Sequence, residues 1–193
     1  MKTRHAMMAA AMAAMTAPAL AALPVGDKAP DFEAQAALDG GEFTFKLAEA
    51  LRHGPVVVYF YPKANTRGCD AEAHEFSEKI GEFTALGATV IGLSADDIGT
   101  LKSYSVNPET CAGKLAVASD ADGSIMQAYD AVASANPARA AMADRLKGLA
   151  DRTSYVVAPD GEIIFAFNDM KPLGHVSGAL EAVKAWAKAH KAE

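Results

Sequence analysis

The chain reads as one α/β domain, a central mixed β-sheet flanked by helices on both faces. Three observations predict it. Two apolar runs rich in β-branched residues, Val56 to Tyr61 and Thr89 to Leu93, are each followed by a segment of helical periodicity, the alternation of a largely parallel sheet. Two strand-like runs flank the turn Pro159-Asp160-Gly161, and an amphipathic segment closes the chain behind that hairpin. The 193 residues are 51% hydrophobic, enough for one sizeable core, and no Pro/Gly/Ser-rich or charged linker divides them.

Taken in order, the first 22 residues read as a secretory signal peptide. Lys2, Arg4 and His5 form a basic start, Ala6 to Met15 an apolar run, and Ala17-Pro18-Ala19 and Ala19-Leu20-Ala21 offer small-x-small cleavage sites. The apolar part is too short to span a membrane. An alanine-rich surface helix or a retained anchor is the alternative, but the polar face such a helix needs is missing. The expectation is a mature chain starting between Leu20 and Leu23, residues 23–193 as the folded domain, and the periplasm as its compartment.

Asp31 to Leu38 and Phe43 to Phe45, separated by Asp39-Gly40-Gly41, predict a hairpin, and Lys46 to His53 a short helix stopped by Gly54. The strand Val56 to Tyr61 is bounded by Pro55 and Pro62. The helix carrying Cys69 has its inward stripe at Ala73, Phe76, Ile80 and Phe83 and ends at Gly87. Asp70, Glu72 and Glu75 then read as surface acids suited to the helix dipole, though they disfavour a thiolate beside them. After the strand Thr89 to Leu93, Ser94 or Asp96 is expected to cap a helix that runs to about Val106. Pro108 stops it, so Asn107 to Gly113 is a loop carrying Cys111. A short strand at Leu115 to Ala118, a helix at Ser124 to Tyr129 and an alanine-rich helix at Pro137 to Ala150 follow. Ser154 to Ala158 and Glu162 to Phe167 form the hairpin, and His175 to His190 the last helix, burying Ala179, Leu180, Val183 and Trp186.

The formal charge is −6; without Lys2 and Arg4, and with no acid before Asp27, the mature chain sets 16 bases against 24 acids, a balance of −8. That argues against nucleic acid or an anionic membrane as a partner. No metal-ligand spacing appears among Cys69, Cys111 and the scattered histidines, and no Gly-rich phosphate loop is present, so neither metal nor cofactor is expected.

The chemistry concentrates in Pro62-Lys63-Ala64-Asn65-Thr66-Arg67-Gly68-Cys69, between a buried strand and an amphipathic helix. This run delivers a thiol to a helix N-terminus, where free amides and the helix dipole favour the thiolate, the nucleophilic form. In an oxidising compartment two cysteines also invite a static disulfide between Cys69 and Cys111, which would stabilise the fold by roughly 4 kcal/mol.

These residues carry a resemblance. From Pro24 to Lys188 the chain resembles the peroxiredoxins of the AhpC/TSA superfamily, which have a thioredoxin-like fold, and most of all their bacterioferritin-comigratory, PrxQ-like subfamily. Phe60-Tyr61-Pro62-Lys63, Thr66 and Gly68-Cys69 match the active-site loop, with Arg67 in place of a usual proline, and Glu72 fits the position three after the cysteine. Arg152 through Gly161 matches the strand that supplies the family's active-site arginine. Many members carry a second cysteine five residues after the first; this chain has His74 there, which helical geometry turns away from Cys69.

The resemblance implies a thiol-dependent peroxidase acting on hydrogen peroxide or alkyl hydroperoxides, with Cys69 as nucleophile, Arg152 and the amides of Gly68 and Cys69 as donors to the peroxide oxygens, Thr66 as an acceptor that orients the peroxide, and Pro62 shielding the sulfur. A free cysteine is a few per cent thiolate at neutral pH, so complete ionisation accelerates it only about thirtyfold, or ~2 kcal/mol. Preorganised donors must supply the rest. Each residue also has a plain structural alternative: Thr66 as helix N-cap, Arg152 as an exposed strand-end charge, Pro62 as a strand terminator. Cys111 is the one intramolecular candidate for the resolving cysteine, with reduction by a thioredoxin-like or other dithiol protein to follow; the alternatives are a structural Cys111, or an idle one while an external thiol resolves Cys69 directly. A thioredoxin-like disulfide oxidoreductase would need a C-x-x-C, but Thr66 and Glu72 stand at the two positions. A non-catalytic domain held by a static disulfide gives no reason for Thr66, Cys69 and Arg152 to occur together. The sequence fits a monomer or a homodimer.

Overall fold

The computed structural model describes residues 22–190, so the segment read as a signal peptide lies almost wholly outside the described residues. Among the described residues seven strands, β1 (Glu33–Leu38), β2 (Gly41–Lys46), β3 (Val56–Phe60), β4 (Thr89–Ser94), β5 (Ala116–Ser119), β6 (Thr153–Val157) and β7 (Ile163–Asn168), form one sheet in the order β2-β1-β5-β4-β3-β6-β7. The central β5, β4 and β3 are parallel, and the outer strands are antiparallel to their neighbours. The sheet is therefore mixed, as expected, and it has the thioredoxin-like arrangement.

Strand pleating sorts the core into two layers. On β3, Val57 and Tyr59 face one cluster, while Val56, Val58 and Phe60 face the other. The first face is covered by α2 (Arg67–Ala85), α3 (Ile98–Val106) and α5 (Leu173–His190), the second by α1 (Leu47–Leu51) and α4 (Ser124–Ala128). Ala73, Phe76 and Phe83 of α2 pack inward as the helical spacing requires. Gly92 of β4 makes room for the Tyr59 ring, since a Cβ there would lie 2.5 Å from it.

Several expectations shift. Asp97, not Ser94 or Asp96, caps α3, its carboxylate accepting from the Thr100 amide. The alanine-rich run forms a 3₁₀ helix, Pro137–Arg145, with no buried residue, so it lacks the apolar stripe that would hold an α-helix to the core. Trp186 is half-buried and Ala187 takes the inward position instead. Among the described residues no helix is long and apolar enough to cross a membrane.

Register positions the site. Phe60 at the end of β3 pairs with Thr153 at the start of β6. The next residues outward are therefore the Pro62 loop on one strand and Arg152 on the other, beside the N-terminus of α2.

Candidate active site

Cys69 sits in the first turn of α2 and is 2% exposed. The loop before it is held by Asp96, whose Oδ2 accepts from the Ala64 amide at 2.7 Å and the Ser94 hydroxyl at 2.8 Å. Asp96 is thus a clamp on the loop, where the sequence offered it as a helix cap. Asn65 adopts a left-handed backbone at φ 58° to turn the chain into the helix.

Thr66 occupies the N-cap, but its hydroxyl makes no capping bond. The hydroxyl donates to the Lys63 carbonyl at 2.8 Å. With its one hydrogen committed, the exposed oxygen presents lone pairs only, and can accept a hydrogen bond from an incoming molecule. Pro62 is half-buried at the end of β3.

Arg152, 83 residues from Cys69, is 2% exposed and brings Nη2 to 3.4 Å from its Sγ. It is no exposed strand-end charge. Its approach runs past Gly68, where a Cβ would lie 3.2 Å from Nη2, so the glycine keeps the path open. The Arg152 backbone is pinned on both sides: its amide donates to Asp151 Oδ1 at 2.9 Å, and its carbonyl accepts from Asn168 at 3.1 Å. Asp151 is itself held by Arg139 at 2.7 Å and by Asn136 and Asn168. Burial pulls the Arg152 guanidinium down, but the Glu72 and Cys69 charges outweigh it and hold the group cationic.

Glu72 corrects the sequence reading most sharply. It is fully buried, not a surface acid, and its Oε2 accepts from Arg152 Nη1. Burial pushes its carboxyl up to about 8, against the pull of Arg152. Three residues past Cys69, it shares that residue's face of α2. His175, at the start of α5, is also fully buried, and burial lowers it to about 4. The available signal for both was a polar residue inside an otherwise apolar helical stripe. Asp70 is half-buried and Glu75 partly exposed, while His74 points to solvent.

Cys69 and Cys111 are both free thiols, so no static bridge joins them. They share one core cluster, with Tyr61 and Tyr104 within electrostatic reach of each. Cys111 is fully buried in the turn after α3, and burial pushes its thiol up to about 12. Among the described residues no group of His, Cys, Asp and Glu is arranged to hold a metal. The whole arrangement is a buried sulfur with a cationic fork on one side and a hydrogen-bond acceptor at the same helix start, which fits attack on a small polar electrophile.

Comparison with known proteins agrees with this chemistry. The AhpC/TSA family model matches residues 25–166. Peroxiredoxin Bcp of Xanthomonas campestris is 29% identical over 83% of this chain and 94% of its own length. The bcp protein of Helicobacter pylori is 32% identical, covering 83% of this chain and 98% of its own. The crystal structure of peroxidoxin BcpB from Mycobacterium tuberculosis superposes with a TM-score of 0.68 at 26% identity, covering 83% of this chain and 96% of that one. The chain belongs to the AhpC/TSA family, the peroxiredoxins, and is a thiol-dependent peroxidase.

Proposed function

We propose that Cys69 is the peroxidatic nucleophile, that Arg152, Thr66 and Pro62 complete its site, and that Cys111 resolves it. The observation that carries this reading is Arg152 Nη2 at 3.4 Å from the buried Cys69 sulfur. A charge-assisted donor there faces both the thiolate and the oxygen on which negative charge develops. In the first step the thiolate attacks one peroxide oxygen, the O–O bond breaks, Cys69 becomes a sulfenic acid, and the departing hydroxide or alkoxide takes up a proton. Thr66 accepts from the peroxide O–H and fixes its approach, while the amides of Gly68 and Cys69 add donors at the helix start. The Cys111 thiol then displaces water from the sulfenic acid to form a disulfide. A dithiol protein returns both cysteines to thiols and leaves as its own disulfide.

The basic start, apolar run and small-x-small sites of residues 1–22 support export to the periplasm, where the reductant would be a thioredoxin-like protein of that compartment. The substrate in this reading is hydrogen peroxide, with alkyl hydroperoxides as further substrates.

Cys69→Ser should abolish peroxide consumption in the presence of a dithiol; retained turnover would sink the assignment. Mass spectrometry after one equivalent of peroxide should show a Cys69–Cys111 disulfide. A stable sulfenic acid with Cys111 still free would instead establish a one-cysteine cycle. N-terminal sequencing of the protein recovered from a periplasmic fraction tests the export signal.

A further inference from the structure

The Glu72 carboxyl is only half satisfied. Its Oε2 is held by Arg152, but Oε1 is buried and has no hydrogen-bond partner. What Oε1 faces is the imidazole of His175, with Nδ1 at 3.8 Å, and both residues are fully buried. The ring cannot turn freely, because Nε2 lies 2.8 Å from the Asp169 carbonyl and Phe167 packs edge-on against it at 4.8 Å.

A carbonyl oxygen only accepts, so Nε2 carries a proton. If the ring is neutral, Nδ1 is then a lone pair, able to accept from the Ser154 hydroxyl at 2.9 Å. An ionised Glu72 would bury an anionic oxygen with no donor to pair it, since Nδ1 of the neutral ring has no proton to give. One added proton removes the conflict, either on Oε1 facing Nδ1 or on Nδ1 facing Oε1.

We propose that Glu72 and His175 hold one proton between them at neutral pH, and that this makes His175, seated against Ser154, a positioning residue for the Cys69 site. The proton keeps the pair neutral. The Arg152 cation then faces one net negative charge, that of the Cys69 thiolate. Once the proton leaves, Arg152 is divided between thiolate and carboxylate, and its field at the peroxide weakens. This inference rests on Cys69 as the nucleophile.

The groups facing the pair come from every element around it. Arg152 lies against Glu72 from the start of β6, and the Tyr59 phenol on β3 senses Glu72. On the His175 side stand Arg152, Asp169 and Asp151. The direction of burial is consistent with the proton residing on Glu72, which it raises to about 8 while lowering His175 to about 4.

The test is the pH dependence of single-turnover Cys69 oxidation by hydrogen peroxide, followed by stopped flow. The wild type should lose rate as pH rises through about 8, by about tenfold if the field change equals one pKa unit. In Glu72→Gln, which cannot ionise, that falling limb should be absent. In His175→Gln the amide donates to an ionised Glu72, so its rate at pH 7 should match the wild type at pH 9 and stay flat between. A wild-type rate that holds level to pH 9, or a His175→Gln profile that keeps the limb at pH 8, overturns the proposal. A second measurement needs no variant: the Glu72 carboxyl ¹³C and His175 ring ¹⁵N resonances of the reduced wild type should report one proton on the pair at pH 7. An ionised carboxyl beside a neutral ring would overturn it. That readout is independent of turnover, so it separates failure of this inference from failure of Cys69 as the nucleophile.

Discussion

Arg152 serves two partners at once, and only a fork can do that. Nη2 lies 3.4 Å from the Cys69 sulfur while Nη1 holds Glu72. A lysine would keep the charge but reach one partner at a time. Arg152→Lys is therefore expected to slow Cys69 oxidation by about 10²-fold, the usual cost of a lost preorganised donor. Stopped-flow oxidation by hydrogen peroxide measures it, and a rate within twofold of wild type would show that charge alone suffices. Thr66 is used differently, since its hydroxyl hydrogen is spent on Lys63 and the oxygen is left to accept. Thr66→Val should lower the oxidation rate by about 10-fold or more, at little cost in stability because the side chain is exposed, while Thr66→Ser should retain most of it. Equal loss in both variants would mean that the methyl group, not the acceptor, matters.

At the scale of elements, the two cysteines stand on structures of different kinds. Cys69 is fixed in the first turn of a 19-residue helix, whereas Cys111 lies in a turn between α3 and β5 where Ala112 and Gly113 both adopt left-handed backbone. Burial keeps Cys111 a neutral thiol, pushed up to about 12, and a weak nucleophile where it sits. In the proposed cycle, disulfide formation therefore requires local opening of the turn, a motion less costly than global unfolding. Two outcomes follow from this. Cys111 in the reduced protein should react with a maleimide at least ~10-fold slower than an exposed thiol. Dilute urea, below the unfolding transition, should speed conversion of the sulfenic acid to disulfide without changing the preceding oxidation. A resolution rate insensitive to urea would place Cys111 within reach of Cys69 in the closed fold.

For the molecule as a whole, the buried Glu72 and His175 write their protons into the stability curve. Glu72, raised from 4.5 to about 8, contributes stability that is complete below 4.5 and is lost as pH rises towards 8. His175, lowered from 6.5 to about 4, contributes stability present above 6.5 and lost as pH falls towards 4. Between pH 4.5 and 6.5 the two slopes cancel, because the extra proton of the folded state on Glu72 matches the extra proton of the unfolded state on His175. From 6.5 to 8 only the Glu72 slope is left, and stability should fall by up to about 1.4 kcal/mol per pH unit. Urea denaturation at pH 5, 6.5 and 8 reads this directly: little change over the first interval, a fall over the second, and a flatter second interval in Glu72→Gln. An undiminished fall in that variant would assign the slope to other groups.

Much of this was legible in order along the chain. Periodicity marked β3, β4, α2 and α5 because each buries one face against a neighbour, and that demand writes itself into local spacing. The run from Pro62 to Cys69 announced a thiol at a helix start, and the resemblance carried by Thr66, Cys69 and Arg152 pointed to peroxide chemistry. The run Pro137–Arg145 is a 3₁₀ helix where its alanines suggest an α-helix, because alanine favours a helix without determining whether it has a core to pack on. His175 was hidden, and Glu72 read as a surface acid despite matching the family position three after the cysteine, for a related reason: a carboxylate or imidazole in a helix looks like a surface residue until its partners are known. Arg152 and Ser154, at the start of β6, lie 80 residues from Glu72 and 21 from His175, separations no local pattern records. The sequence by itself thus determined the candidate nucleophile, the helix that presents it and the family chemistry, since these depend on residues adjacent in the chain. Only the tertiary structure decided that Arg152 is shared with a buried acid, and that the acid faces a histidine, because β3–β6 pairing and the packing of α5 on α2 set which charges meet out of water.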